Sequence, residues 1–209
     1  MVVGQFDSGS IPRNAQGPKS TAFHFEAPVC AACNGTITQD ADREFDRFRR
    51  KMESISGDVI DPSSVLEEER YAKGSEAYLN VFRYFAKILA CHVAQSKGPR
   101  AIDVTNFARG ITNRNVVQLW IDIDPTYRSF AELHGKHSYA AHGGLMVPMD
   151  KNTRLVTGFR SFLTFGPVRY TFWVEFGPVV GLALSLAHRT FHNKCLVAYE
   201  EALLLSNTQ

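Results

Sequence analysis

The nonapeptide Val168-Arg169-Tyr170-Thr171-Phe172-Trp173-Val174-Glu175-Phe176 decides the fold class. Its apolar residues recur at every second position, which places Val168, Tyr170, Phe172, Val174 and Phe176 on one face of a strand. Arg169, Thr171, Trp173 and Glu175 fall on the other face. A strand with one apolar and one mixed face belongs to an antiparallel sheet covered on a single side. The same period governs Val117, Leu119, Ile121 and Ile123, which alternate with Gln118, Trp120 and Asp122 until Asp124-Pro125 stops the run. Further strands are expected at 144–147, 156–165 and 179–186. Asp150-Lys151-Asn152, Gly166-Pro167 and Gly177-Pro178 punctuate them.

Upstream the period becomes helical. Tyr78, Val81, Phe82, Phe85, Ile88, Leu89 and His92 recur at offsets of three and four, and Leu79, Ala86, Ala90 and Val93 add a second apolar face. A helix apolar on two faces is central and buried; Gly98-Pro99 ends it. Ser64, three residues before Glu67, has the pattern of a capping box at a helix start. A short helix over 103–109 closes at Gly110. Phe45, Phe48 and Met52 form the buried stripe of an earlier helix over 39–54. A last helix over 188–205 is placed to cover the sheet. The expected fold is α+β, in two parts. Residues 1–60 hold a zinc-knuckle-like segment and a helix. Residues 61–209 hold central helices within 63–110, antiparallel strands within 116–186 and the terminal helix.

Composition narrows the function. Hydrophobic residues at 44% and charged residues at 21% exclude a disordered or collagen-like chain. The formal net charge of +2 is spread evenly, so a nucleic-acid partner must be argued from a local site. The longest apolar run, 179–187, is far short of the roughly twenty residues that cross a bilayer, and no membrane partner is expected. Asp7, Ser8, Gly9 and Ser10 interrupt any signal-peptide pattern. Two of the four cysteines stand as Cys30-x-x-Cys33, which fits a reducing, cytoplasmic setting better than a disulfide framework.

One motif carries specific chemistry: Pro28-Val29-Cys30-Ala31-Ala32-Cys33-Asn34-Gly35, followed by Asp42, Phe45, Asp46 and Phe48. A two-residue spacer brings two thiolates to one side of a tetrahedral zinc ion. That supplies half a ligand set, and His24, six residues upstream of Cys30, is a candidate third ligand. The segment is rich in turn formers, of a kind that needs a metal to hold it together. The redox-active or unmetallated pair stays open beside the zinc reading.

With Ile11-Pro12-Arg13-Asn14 and Gly17 upstream, residues 9–50 resemble the second half of an HNH endonuclease domain. The resemblance implies that Cys30 and Cys33 are the second zinc pair of a knuckle and that Asn34 is the motif asparagine. It also implies that Asp42 or Asp46 is the helix-borne ligand of a catalytic divalent metal such as magnesium. The family's activity is metal-dependent phosphodiester hydrolysis, in which a histidine before the Ile-Pro pair deprotonates water and the metal steadies the leaving oxygen. Here that histidine position reads Asp7-Ser8-Gly9-Ser10, and the first Cys-x-x-Cys is absent. Either the chain begins late or it is a degenerate relative; His24 is the candidate substitute base. Arg43, Arg47 and Arg50, at i, i+4 and i+7, form a candidate phosphate-facing stripe. Glu44 and Asp46 stand at pairing distance along the same helix, so a solvated, ion-paired face is the competing reading.

Two functions therefore stay open. One is an HNH-like protein that binds or cuts nucleic acid, DNA first. The other is a non-enzymatic protein- or ligand-binding module with a vestigial knuckle, using the aromatic sheet at 116–186. His188, His192 and Cys195, with Cys91 and His92, mark a possible second metal cluster, or else packed helix positions. His134, His137 and His142 flank a Gly-rich turn. No phosphate loop, dinucleotide fingerprint or serine-histidine-aspartate spacing is present.

Overall fold

The computed structural model describes residues 2–3, 13–14, 36–55, 62–134 and 139–206. The fold is α+β. Four antiparallel strands form the body of the sheet: β3 (Gln118–Ile123), β4 (Tyr139–His142), β5 (Gly158–Phe165) and β6 (Val168–Glu175). Two-residue strands β1 (Val2–Val3) and β2 (Arg13–Asn14) extend it beyond β4, giving the order β2-β1-β4-β5-β6-β3. β1 runs parallel to β4 and the remaining pairs are antiparallel.

The alternation in β6 acts as expected. Val168, Tyr170, Phe172 and Val174 are buried, and the register aligns them with Phe159, Ser161, Leu163 and Phe165 of β5. Helix α2 (Glu76–Gln95) lies over this inner face. Its Phe85 ring is 5.7 Å from Tyr170 and 5.0 Å from Phe172. Helix α1 (Gln39–Ile55) packs beside it through Phe45, Phe48 and Met52, with Phe45 stacked on Tyr84 at 3.9 Å. Both α1 and α2 contribute to the hydrophobic core that contains the sheet.

The expected capping box at Ser64 is not a helix start. Pro62–Glu67 and Glu69–Tyr71 are 3-10 turns, and the serine that caps α2 is Ser75, which accepts from the Tyr78 N–H at 3.1 Å. The short helix is α3 (Ile102–Ala108), closed by Gly110 at φ 70°, where a side chain would be strained.

Four expectations for the C-terminal half are corrected or narrowed. Residues 179–186 form no strand: α5 (Pro178–Ala187) is a helix with Gly177 as N-cap and proline in its first turn. A short apolar run without polar alternation fits either element, and the proline marks the helix. Asp124-Pro125 ends β3 but also opens α4 (Pro125–His134), because an Asp124 carboxylate oxygen accepts from the Thr126 N–H at 2.9 Å. The strand expected at 144–147 is displaced to β4, leaving a single bridge between Met146 and Arg160. The terminal helix α6 (Arg189–Ser206) is present and covers only one edge of the inner face, where Phe191 meets Phe159 of β5 with ring centroids 6.0 Å apart. Phe191 and Cys195 are its buried contacts, and α1 and α2 supply most of the cover.

Candidate nucleic-acid interface

Cys30, Cys33, His24 and Asn34 lie outside the described residues, as do Asp7-Ser8-Gly9-Ser10. The described parts of the HNH-like stretch are β2 and residues 36–50, and α1 carries the candidate site residues among them. Its aspartates already serve cations. Both Asp42 oxygens accept from Lys87 Nζ, at 2.9 and 2.8 Å. Asp46 takes Arg49 at 2.8 Å and Arg50 at 2.7 Å, and its hydrogen bond from Arg49 holds its carboxyl below the usual carboxylate range. A metal at either position would have to displace these partners. Among the described residues, no three His, Cys, Asp or Glu side chains gather as a ligand group.

The arginine stripe is real in direction but largely neutralised. Arg47 bonds Glu44 at 3.1 Å, Arg50 bonds Asp46, and Arg43 is 3.8 Å from Asp40. Glu44 also accepts two bonds from Arg70 and one from Tyr71. Burial raises its pKa, but these donors outweigh burial and hold the carboxyl below its ordinary value. The exposed pairs, Arg43–Asp40 and Arg50–Asp46, contribute little to stability. They do reduce the free charge offered to phosphate.

Cys91 and Cys195 are buried free thiols, both pushed up by burial, Cys195 to about 11, so neither is a thiolate at neutral pH. His92 and His142 meet from α2 and the inner side of β4, with ring centroids 5.9 Å apart. Burial first, and His142 second, lower the His92 pKa to about 4. His137 and the side chain of His134 are outside the described residues.

The outer face of the sheet brings together residues that the sequence leaves far apart. Register sets Trp120 (β3) opposite Thr171 (β6), which in turn faces Phe162 (β5). The next row reads Gln118, Trp173, Arg160. Trp120, Phe162 and Trp173 thus surround Thr171, and diagonal neighbours on a sheet face lie about 7–8 Å apart. Trp120 is 61% exposed. The Arg160 guanidinium sits 5.3 Å over the Trp173 ring, a distance for cation–π attraction. Trp173 donates its indole N–H to Glu175 at 3.0 Å, which fixes the ring. Gly143 makes room for Phe162, since a Cβ there would lie 2.3 Å from the ring.

Arg160 has no ion pair among the described residues. Arg169, two rows away on the far side of Thr171, is tied to Asp122 by two bonds at 2.9 and 2.5 Å. Beside Trp173 an open groove of about 420 Å³ is lined in part by Pro148, Thr157 and Phe176. Alternation in Val168–Phe176 foretells that Trp173 and Arg169 face outward. It does not foretell that Trp120 and Arg160 join them, because that depends on register.

No family model matches the chain, and no curated protein or solved structure matches it. No helix among the described residues is long and apolar enough to cross a membrane.

Proposed function

We propose that this protein is a cytoplasmic nucleic-acid-binding protein, related to the HNH endonucleases through its N-terminal motif, and that it holds single-stranded DNA on the outer face of its sheet. One observation carries the proposal: both tryptophans, Phe162 and an unpaired arginine share one outward face. Bases stack on such rings regardless of sequence, and a nearby guanidinium meets the phosphate between them. The N-terminal motif supplies the preference for DNA. Its Cys30 and Cys33 hold zinc with His24, and Asn34 follows them as in the family. Without a histidine before Ile11 the segment keeps scaffold and lacks the base, so binding outlasts hydrolysis. The groove beside Trp173 favours a second reading, a small aromatic ligand held in place of a base.

The test is anisotropy of a labelled oligothymidine. The wild-type chain is expected to bind, more weakly as salt rises, without cleavage in magnesium or manganese. Trp120→Ala should lower affinity by about 5- to 100-fold, the range of one lost stacking contact. Arg160→Ala should also flatten the salt dependence by about one phosphate contact. Replacing Arg43, Arg47 and Arg50 together should do less, because each already has a carboxylate neighbour. Binding that ignores both Trp120 and Arg160 would contradict the proposal.

The zinc arm is tested separately. Protein purified without added metal should carry about one zinc per chain, lost in the Cys30→Ser, Cys33→Ser double variant. Metal-free wild-type protein of unchanged stability would remove the knuckle.

A further inference from the structure

We infer that the outward face of α6 is a self-association surface that pairs antiparallel with the same helix of a second copy. Two ridges at four-residue spacing run along this face, Thr190-Lys194-Ala198 and Asn193-Val197-Glu201. Between them lies an open groove of about 550 Å³, the shape that receives a ridge from another helix. Val197 at its centre is 56% exposed.

The charge pattern names the occupant. Lys194 stands at one end of the apolar centre and Glu201 at the other, about 10 Å apart along the axis. Neither is ion-paired among the described residues. A twofold axis between Val197 and Ala198 sets residue 194 of one copy opposite residue 201 of the other, twice, and sets Val197 against Ala198. Parallel pairing of two copies would put like charges together instead. Isologous contact requires this kind of self-complementarity, and a helix with uniform charge would lack it.

The same operation lays the exposed Leu204 and Leu205 toward the junction of α5 and α6 in the other copy. There Leu186 is also exposed. Apolar surface at both ends thus adds to a central contact that is too small alone to reach the roughly 1,000 Å² of a stable interface.

The experiment is sedimentation equilibrium of the full chain from about 1 to about 100 μM, spanning the affinities such an interface supports. Wild-type protein should form dimers in that range. Glu201→Lys, which sets lysine against lysine, should weaken dimerisation at least tenfold while thermal unfolding of the monomer stays unchanged. The double variant Lys194→Glu, Glu201→Lys restores opposite charges and should restore the dimer. A wild-type monomer at every concentration would overturn the inference. So would a dimer indifferent to Glu201→Lys, which would place the contact elsewhere, the apolar α5 first.

Discussion

Phe85→Ala is expected to cost about 3–5 kcal/mol of folding stability, enough to lower the melting temperature of a chain this size by about 6–20 °C. Phe85 is fully buried. Its ring contacts Phe45 of α1, Tyr84 of its own helix, and Tyr170 and Phe172 of β6. It therefore joins three elements of the core, α1, α2 and β6, and its removal leaves a cavity among close-packed rings. Glu68→Ala is the control. Glu68 pairs with Lys51 at the surface, and losing that pair should cost no more than about 0.5 kcal/mol. Denaturant unfolding of both variants measures the difference. Similar costs would mean that α2 is not the central element.

Stability should also fall on acidification through a single histidine. His92 is 5% exposed, and its folded pKa is about 4 against an ordinary 6.5. The unfolded chain therefore binds a proton that the folded chain refuses, and stability rises with pH across that window. The contribution is complete above about pH 6.5 and is lost as pH falls toward 4, a change of about 3 kcal/mol. Glu44, Asp46 and Asp150 have lowered pKa values, so their stabilisation is lost as pH falls below their unfolded values of 4.5 and 3.8. The upper part of the window therefore belongs to the histidine. Urea unfolding of wild type and His92→Leu at pH 5 and pH 7 separates the two. The wild type should lose stability between them and the variant should lose little. Equal slopes would show that His92 is charged in the folded state or accessible to water.

The elements best foretold by sequence are those with a long, clean period. α2 and β6 are legible because eleven positions of one and all eight alternating positions of the other keep their period without interruption. Residues 179–186 were ambiguous because every face of that segment is apolar, and neither period shows without polar residues to mark it. α4 is hidden in the sequence for a different reason. Its start signal, Asp124-Pro125, also reads as a strand stop, and only the Asp124 carboxylate bonding the Thr126 N–H reveals which it is. The covering role of α6 is legible only in part: Phe191 packs on Phe159, but nothing local in His188 to Leu205 says that α1 and α2 take most of the sheet.

The site divides in the same way. The chemistry of Cys30, Cys33 and Asn34 is written in adjacent letters, so a motif reveals it. The outer sheet face is assembled from Trp120, Arg160, Phe162 and Trp173 on three strands, and it exists only once register is fixed. The arginine stripe on α1 was legible as a position and misleading as a charge. Glu44 and Asp46 on the same helix pair with Arg47 and Arg50, whose side chains stay exposed but lose much of their free charge.

Intrinsic fluorescence gives the most direct test, because the chain has two tryptophans and both lie on the outer sheet face. Titration with unlabelled oligothymidine at low salt should quench the emission as bases stack on the indoles, and added salt should restore it. Trp120→Ala should remove most of the change. Emission that stays constant while anisotropy reports binding, or no binding at low salt at all, would contradict the sheet as the nucleic-acid surface.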